Sequence, residues 1–293
     1  MTDPEIPACP PPDPNPAPPK LVAPPGAIDC HAHVFGPEAK YAYSPARGYT
    51  PPDAPLEIYL ALLDVLGIAR AVLTQPSVYG TDNSAMLDAM ALHPGRLLGV
   101  VAVDGSVTDA ELAELNAKGA RGVRVNIADK GGNPFDSMDE VRRFCERLAP
   151  LGWHLEVLLH VDEFPDLAET FADFPVDIVV GHLGYMKSPH TIEHAGFQAF
   201  LELVRGGHWW VKLTGTYRIT GADNPPYPDV VPVAQALIDA NPDRIIWGTD
   251  WPHPIHYRGM PNDAYLLDQL LDWTDDATIQ KILVDNPQRL FGF

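Results

Sequence analysis

Two histidines one residue apart are the first residues in this chain with the types and spacing for chemistry. The stretch "IDCHAHVFGP", Ile28 to Pro37, places His31 and His33 in a short apolar run that ends in Gly-Pro. Alternate side chains of a strand point to the same side, so Asp29, His31 and His33 are expected to share one face. Two imidazoles on one face could bind one metal ion, but His-x-His alone is as typical of polar residues at a strand end.

Further candidate ligands stand at the ends of other predicted strands. "HLEVLLH" ends in His160, "VDIVVGH" ends in His182, and "RIIWGTD" ends in Asp250. In a barrel of parallel strands the carboxyl ends meet at one rim, and active sites lie there. Imidazoles with one carboxylate suit Zn2+, which in catalytic sites keeps a position open for water. The pattern predicts a functional site with one divalent metal, Zn2+, and a metal-free site is the alternative.

Eight strand-like runs alternate with helix-like segments from residue 27 onward. Amphipathic stretches such as "PLEIYLALLDVLG" and "SMDEVRRFCERLAPLG" separate the runs, with Gly or polar residues at their ends. The predicted strands are Ala27–Phe35, Arg70–Gln75, Leu97–Val103, Gly122–Ile127, His154–His160, Val176–His182, Trp209–Thr216 and Arg244–Asp250. Apolar strands separated by helices indicate a parallel sheet covered on its outer face. No Gly-rich phosphate-binding run occurs, so we expect an α/β fold, a closed (β/α)8 TIM barrel forming a single domain over residues 27–293.

A proline-rich arm precedes the predicted barrel. Residues 1–26, "MTDPEIPACPPPDPNPAPPKLVAPPG", lack the apolar run behind a basic start that marks a secretory signal. We expect a polyproline-like arm, either disordered or lying along the domain or a partner subunit. No apolar run in the sequence approaches membrane-spanning length.

The charge balance and the cysteines limit partners and location. The formal net charge of -19 argues against nucleic acid and against an anionic membrane surface as partners. An anionic substrate would therefore depend on a few local Arg or Lys side chains. Cys9, Cys30 and Cys145 show no paired spacing, which predicts free thiols in a reducing, cytoplasmic compartment.

Long motifs resemble a known group of enzymes. His31-Ala32-His33, His160, His182 and "WGTDWPHP" resemble the amidohydrolase superfamily. Within it, the sequence is similar to the 2-pyrone-4,6-dicarboxylate lactonase and 4-sulfomuconolactone hydrolase family through "DCHAHVFGP", "RGYTPPDA", "YGTDN", "GARGVRVN", "LGWH", "RIIWGTDWPHP" and "LVDNPQRL". The resemblance covers nearly the whole chain after the arm. It implies a hydrolase of aromatic-compound degradation that opens a lactone ring with water.

The resemblance also implies roles for the rim residues. Superfamily members with a histidine after strand five hold one divalent metal through a ligand set that corresponds here to His31, His33, His160 and Asp250. The pyrone-dicarboxylate lactonases work without metal and lack the strand-five histidine, so His160 favours a zinc enzyme. We expect Asp250 to act as general base, and His182 to orient the carbonyl or stabilise the developing oxyanion.

Basic and hydroxyl side chains are expected to bind an anionic substrate. The spacing of "GVRVN" places Arg124 on the inward face of its strand. Lys130 and Arg218 match basic positions that bind substrate carboxylates in the lactonase family, and Tyr49 and Ser77 are pocket candidates by family position. The arginine fork pairs bidentately with a carboxylate or sulfonate. The expected substrate is therefore a small anionic lactone of muconolactone type, or 2-pyrone-4,6-dicarboxylate itself.

Leu158 stands where the pyrone lactonases carry a substrate-binding tyrosine, which favours a related rather than an identical substrate.

Two other functions stay open at this point. A non-oxidative decarboxylase of an aromatic or muconate-type acid would use nearly the same ligands on the same barrel. A non-catalytic protein that binds a carboxylated metabolite would keep the pocket without the reaction. A homo-oligomer is compatible with the sequence, which does not fix the number of subunits.

Overall fold

Eight parallel strands form one sheet in which each strand pairs with the next along the chain. The computed structural model describes residues 6–128, 133–164, 166–186 and 192–293. The strands are β1 (Ile28–Ala32), β2 (Arg70–Thr74), β3 (Leu97–Val101), β4 (Ala120–Asn126), β5 (His154–Leu158), β6 (Ile178–Val180), β7 (Trp209–Leu213) and β8 (Ile245–Trp247). The loop after β8 meets β1 through a parallel bridge between Ala32 and Trp251. The predicted (β/α)8 barrel is confirmed.

Helices cover the outer face of the barrel. They are α1 (Leu56–Leu66), α2 (Ser84–Leu92), α3 (Asp109–Ala117), α4 (Met138–Leu148), α5 (Leu167–Thr170), α6 (Ala195–Arg205), α7 (Val231–Ala240), α8 (Asp263–Asp268), α9 (Leu270–Trp273), α10 (Asp276–Gln280) and α11 (Asn286–Phe291). In α4, Val141, Phe144 and Leu148 recur at the spacing of one helix face and are buried. Burying each such side chain stabilises the fold by about 1.5–3 kcal/mol. Among the residues described, no helix is long and apolar enough to cross a membrane.

Apolar side chains pack in two separate places. The larger cluster lies between the strands and the surrounding helices. The smaller cluster fills the barrel interior and includes Val72, Val100, Trp210 and Phe291. Phe291 of α11 packs edge-on against His154 at the start of β5, with ring centroids 5.2 Å apart. The last helix therefore closes the end of the barrel that lies opposite the carboxyl ends of the strands.

The first strand carries an irregularity that turns the two histidines inward. Its pairing with β2 shifts register after Asp29. Cys30 packs inside the barrel, whereas Asp29 accepts a hydrogen bond from Tyr59 of the outer helix α1 at 2.8 Å. The prediction that Asp29 shares a face with His31 and His33 is therefore wrong, because the register shift breaks the regular alternation of β1.

The candidate site residues follow the strands rather than end them. His160 lies two residues beyond β5, His182 two residues beyond β6, and Asp250 three residues beyond β8. The predicted strands were too long by these residues. The orientation of these three side chains is therefore set by loop geometry rather than by strand periodicity.

The proline-rich arm lies along the barrel over its described part, residues 6–26. The Thr50 amide donates to the Pro7 carbonyl and the Cys9 amide donates to the Thr50 carbonyl, both at 2.8 Å. The Ile255 amide donates to Cys9 Sγ at 3.2 Å. Farther along, the amides of Lys20 and Leu21 donate to Asp268 of α8, at 2.8 and 2.9 Å. The arm thus bridges the loop that follows β1 and the loop that follows β8.

Candidate active site

Asp250 is the centre of a buried polar cluster at the carboxyl ends of the strands. Its Oδ2 accepts hydrogen bonds from the Tyr217 hydroxyl at 2.5 Å and from Arg218 Nε at 2.7 Å. Within the described residues its Oδ1 has no hydrogen-bond partner, and it lies 3.5 Å from Nε2 of His31 and 3.5 Å from Nε2 of His33. One carboxylate oxygen is therefore fixed, and the other is presented to the histidines.

Asp250 is held ionised and in an uncommon backbone conformation. Burial would raise its pKa, but Arg218, His182 and other neighbours outweigh burial and hold the pKa of Asp250 well below its usual range. Its φ of 65° lies in the left-handed region that residues other than glycine rarely adopt. The Asp250 amide donates to the His31 carbonyl at 2.8 Å, and its carbonyl accepts from the His253 amide at 2.7 Å. Such a conformation costs on the order of 1–3 kcal/mol and persists only where the surroundings fix it.

His182 reaches the cluster from the loop after β6. Its ring centroid lies 5.3 Å from that of His31, and its buried Nδ1 has no hydrogen-bond partner in the part of the chain that the structure describes. A Cβ on Gly215 would lie 2.6 Å from this Nδ1, and Gly215 has a φ of 64°, so the position requires glycine. Burial lowers the pKa of His182 well below its usual value, which keeps the imidazole neutral.

The two histidines of the β1 end differ in what their Nδ1 atoms contact. His33 Nδ1 lies 2.7 Å from the Thr74 carbonyl. Because a carbonyl only accepts, neutral His33 carries its proton on Nδ1 and presents a lone pair on Nε2. His31 Nδ1 instead lies 3.2 Å from Lys212 Nζ and 3.4 Å from Glu156 Oε1. Burial lowers the pKa of both imidazoles, that of His31 to about 3.

A buried ion pair lies next to Nδ1 of His31, and it was not predicted from the sequence. Lys212 of β7 is 0 % exposed, and its Nζ lies 2.6 Å from Oε2 of Glu156 on β5. Burial would raise the pKa of Glu156, but Lys212 and His31 hold it well below its usual value. The signal in the sequence is a single charge in the middle of each of two apolar runs, "HLEVLLH" and "WWVKLTG". A charge at such a position is almost never buried without a partner.

Three ligand atoms of the cluster are placed to hold a cation. His31, His182 and Asp250 each offer one ligand atom, and these atoms lie within 4.8 Å of one another. His31 Nε2, His182 Nδ1 and Asp250 Oδ1 are buried, and none of them has a hydrogen-bond partner within residues 6–128, 133–164, 166–186 and 192–293. Two imidazoles and a carboxylate are donors that divalent metals accept. The residues present therefore fit a divalent metal ion.

His160 lies outside this group. It is half-buried, its Nδ1 lies 3.1 Å from the Tyr185 carbonyl, and its ring centroid lies 4.5 Å from that of Tyr185. The expected ligand set was His31, His33, His160 and Asp250, whereas the group within 4.8 Å contains His182 and neither His160 nor His33. The loop after β5 directs the His160 ring against Tyr185, and a role of His160 as metal ligand stays a prediction.

Three of the expected substrate-binding residues lie together beside the cluster. Arg124 and Ser77 line one cavity with Gln75, Thr81, Asn126 and Pro134. Arg124 Nη1 donates to the Gln75 carbonyl at 3.0 Å, and its buried Nε has no hydrogen-bond partner among the described residues. Tyr49 is buried, which raises its pKa, while a hydrogen bond with Ser77 and the charge of Arg124 oppose that rise. The Arg124 guanidinium and the Ser77 hydroxyl therefore line one pocket, and Tyr49 is hydrogen-bonded to Ser77.

Arg218, a further expected carboxylate-binding residue, contacts Asp250 and does not line this cavity. Arg218 donates from Nε to Asp250 and from Nη2 to the Pro254 carbonyl at 2.8 Å. Arg218 therefore pairs with Asp250, which was not expected from its position in the sequence. Lys130 lies outside the described residues.

Comparison with known proteins identifies the family. The amidohydrolase family matches residues 28–293, and the chain belongs to it. It is 41% identical to 4-sulfomuconolactone hydrolase of Hydrogenophaga intermedia over 279 residues, 93% of this chain and 91% of that protein. It is 39% identical to 2-pyrone-4,6-dicarboxylate hydrolase of Comamonas testosteroni over 287 residues, 94% of this chain and 93% of that protein. A ligand-free crystal structure from Agrobacterium tumefaciens matches with a TM-score of 0.84 at 29% identity, over 94% of this chain and 98% of that one. The resemblance drawn from the motifs is confirmed, and so is the expected class, a hydrolase.

Proposed function

We propose that this protein hydrolyses the ester bond of a lactone that carries a carboxylate or sulfonate group. One observation carries the proposal: the fixed carboxylate of Asp250 presents its free oxygen to buried imidazoles, and Arg124 lines a cavity with Gln75, which adjoins the Thr74 whose carbonyl contacts His33. The two hydrolases that are 41% and 39% identical to the chain are named for 4-sulfomuconolactone and 2-pyrone-4,6-dicarboxylate, which supports this substrate class.

Asp250 acts on the water in this reaction. Its Oδ1 accepts a proton from the attacking water as the water oxygen bonds to the carbonyl carbon of the lactone. Tyr217 and Arg218 hold Oδ2, so the carboxylate keeps Oδ1 aimed at the reacting atoms. The ring C–O bond then breaks, and the proton passes from Asp250 to the departing oxygen. The product is a ring-opened acid whose new carboxyl group releases one proton at neutral pH.

His182 and Arg124 act on the substrate. In the metal-free site a neutral His182 has one N–H, which it donates to the carbonyl oxygen as negative charge develops there. Arg124 binds the acidic group of the substrate, with the hydroxyls of Ser77 and Tyr49 beside it. Because the chain carries a net charge of -19, this local guanidinium is what attracts an anion into the pocket.

Zn2+ is the metal that we propose for this site, since imidazole and carboxylate are among its preferred donors. His31, His182 and Asp250 would hold it, with His33 Nε2 beside them. When bound, a divalent metal would polarise the carbonyl and lower the pKa of a water molecule. Elemental analysis of the purified protein checks this, with about one zinc per chain as the expected result and none as the contrary one.

We place the reaction in the cytoplasm, without nucleic acid or membrane as partners. Cys9, Cys30 and Cys145 are free thiols, as a reducing compartment favours. The net charge of -19 repels nucleic acid and anionic lipid. The number of subunits does not enter the proposed reaction, since every residue assigned to it comes from one chain.

Product analysis tests the proposed reaction. The purified protein is incubated with muconolactone-type and sugar-acid lactones, and both proton release and CO2 are followed. We expect proton release with lactone opening and no CO2. Release of CO2 from an aromatic or muconate-type acid, without lactone opening, would support a decarboxylase instead. A stoichiometric complex that persists without turnover would support a binding protein.

A further inference from the structure

A donor and an acceptor compete for one nitrogen of His31 inside the barrel. Lys212 Nζ lies 3.2 Å from His31 Nδ1, and Glu156 Oε1 lies 3.4 Å from the same atom. Glu156 Oε2 and Lys212 Nζ are themselves 2.6 Å apart. Thr74 Oγ1, at 3.4 Å, is a further polar neighbour of this nitrogen and can either donate or accept. The side chains of Lys212, Glu156 and Thr74 are at most 2 % exposed, so bulk solvent does not reach this nitrogen.

The two contacts require opposite tautomers of His31. A lysine ammonium only donates, so its contact requires a lone pair on Nδ1 and places the proton of the neutral ring on Nε2. A carboxylate only accepts, so its contact requires the proton on Nδ1 and leaves a lone pair on Nε2. A metal binds only the second tautomer through Nε2, whereas the first directs an N–H toward Asp250 Oδ1, 3.5 Å away. His33 has no such choice, because the Thr74 carbonyl fixes its proton on Nδ1.

We propose that Lys212 and Glu156 select the tautomer of His31, with Lys212 keeping Nε2 protonated and Glu156 opening Nε2 for a metal. The contact to Lys212 is the shorter of the two, and Glu156 is shared, since its Oε2 pairs with Lys212 while its Oε1 faces the ring. Lys212 therefore weakens metal binding at this site, and Glu156 strengthens it. Both are positioning residues, since they act through His31 and touch neither substrate nor metal.

Binding of a metal to Nε2 changes which nitrogen of His31 carries the proton, but not the number of protons on the ring. The proton of neutral His31 moves from Nε2 to Nδ1, where Glu156 accepts the hydrogen bond, and the ring keeps the same number of protons. In metal sites a carboxylate behind a ligating histidine fixes its tautomer and raises affinity, and losing it costs about 10–100-fold. In this protein the same carboxylate is shared with an ammonium, so its support of His31 is only partial.

Two substitutions with opposite expected effects test the proposal. Zn2+ alone is titrated into metal-stripped protein against a chelator, and the 15N shifts of the His31 ring report the tautomer without metal. Lys212→Met releases Glu156 to accept from His31, so we expect zinc affinity to rise about tenfold or more and the proton to move to Nδ1. Glu156→Gln is expected to lower zinc affinity by about tenfold or more.

A double variant and a control keep the test independent of folding. Lys212→Met leaves a buried charge without its partner, whereas Lys212→Met with Glu156→Gln removes both charges and keeps an amide oxygen that accepts from Nδ1. We expect the double variant to keep the proton on Nδ1. His154→Leu is the matched control, because it removes another buried polar ring from the same face of β5, and its zinc affinity should equal that of the natural protein.

Unchanged zinc affinity and unchanged His31 shifts in both Lys212→Met and the double variant would overturn the proposal. The inference rests on the site of the proposed function but not on its reaction, since both readouts are taken without substrate. If the natural protein opened no lactone while the zinc affinities moved as expected, the proposed function would fail and this inference would stand.

Discussion

Tyr217 donates its hydroxyl proton to Oδ2 of Asp250 at 2.5 Å, and this contact decides which oxygen of Asp250 faces the histidines. The Tyr217 hydroxyl also lies 3.1 Å from His253 Nδ1, and His253 Nε2 lies 3.2 Å from Asp263 Oδ1. Burial raises the pKa of Tyr217 well above its usual value, so the hydroxyl keeps its proton. The orientation of the proposed base is therefore set by buried protein groups before any substrate arrives.

Asp250→Asn is expected to lower kcat by about 10²–10⁴-fold, the usual contribution of a general base. The amide cannot take a proton from water, although its oxygen can still accept from Tyr217 and Arg218. Turnover is measured by proton release, and circular dichroism with thermal unfolding confirms that the chain is folded. Near-normal turnover in this variant would assign the base to another group.

Arg124→Met is expected to lower kcat/KM for an anionic lactone by about 10–100-fold, because a hydrogen bond to a charged group contributes about 1.5–3 kcal/mol. For a neutral ester of the same ring, the kcat/KM of the variant should equal that of the natural protein. Arg121→Met is the matched control on the same strand, since Arg121 donates to the carbonyls of Asn116 and Ala120 rather than into the cavity. An equal loss with both substrates would remove the proposed anion-binding role of Arg124.

Asp29 gives the free energy of unfolding a pH dependence of defined sign. Burial raises the pKa of Asp29 from 3.8 to about 6, against hydrogen bonds from Thr249, the His31 amide and Tyr59. A carboxyl group with a higher pKa in the folded state binds protons better there. Its contribution to stability is therefore greatest below pH 3.8, falls as the pH rises to about 6, and stays low above that.

Asp29→Asn cannot titrate and is the variant that isolates this effect. The free energy of unfolding of the natural protein, minus that of Asp29→Asn, should fall by on the order of a few kcal/mol between about pH 4 and pH 7. Urea unfolding of both proteins across this range provides the measurement. A difference that stays constant with pH would contradict the raised pKa.

Gly215→Ala is expected to lower both stability and turnover. The added Cβ would lie 2.6 Å from His182 Nδ1, so the imidazole must move. Gly152→Ala is the matched control, because Gly152 has a φ of 67°, close to the 64° of Gly215, and no described residue other than its chain neighbours lies within 4 Å of an added Cβ. Both substitutions carry the backbone penalty of alanine at positive φ. Equal kcat values for the two variants, each compared with the natural protein, would show that turnover does not depend on the position of His182.

The barrel and the place of its site could be predicted from the sequence, because both follow from periodicity. Apolar runs at regular intervals predict parallel strands, and polar residues just after those runs predict a site at their carboxyl ends. His31, His182 and Asp250 were found in this way. The choice of His182 over His160 in the ligand group depends on loop geometry, including a left-handed backbone at His182, which no periodic pattern encodes.

The contacts between distant strands could not be predicted from the sequence in the same way. Glu156 and Lys212 are visible as single charges in apolar runs, but they lie on β5 and β7, and spacing does not say that their side chains meet. Arg218 resembled a substrate-binding arginine by position, and only the fold shows that it pairs with Asp250. Such pairings depend on which residues of neighbouring and opposite strands reach the same height in the barrel.

The contacts of the proline-rich arm link two loops that are far apart in the chain. Through Pro7 and Cys9 it bonds to Thr50, which adjoins Tyr49, and to Ile255, five residues beyond Asp250. The arm thus crosses the rim of the barrel and contacts it at Thr50, beside the proposed substrate-binding residue Tyr49, and at Ile255, beyond the proposed base Asp250. Proteolytic cleavage of the arm would remove its contacts to both loops at once. Turnover would then fall, although no residue of the arm is assigned to the reaction.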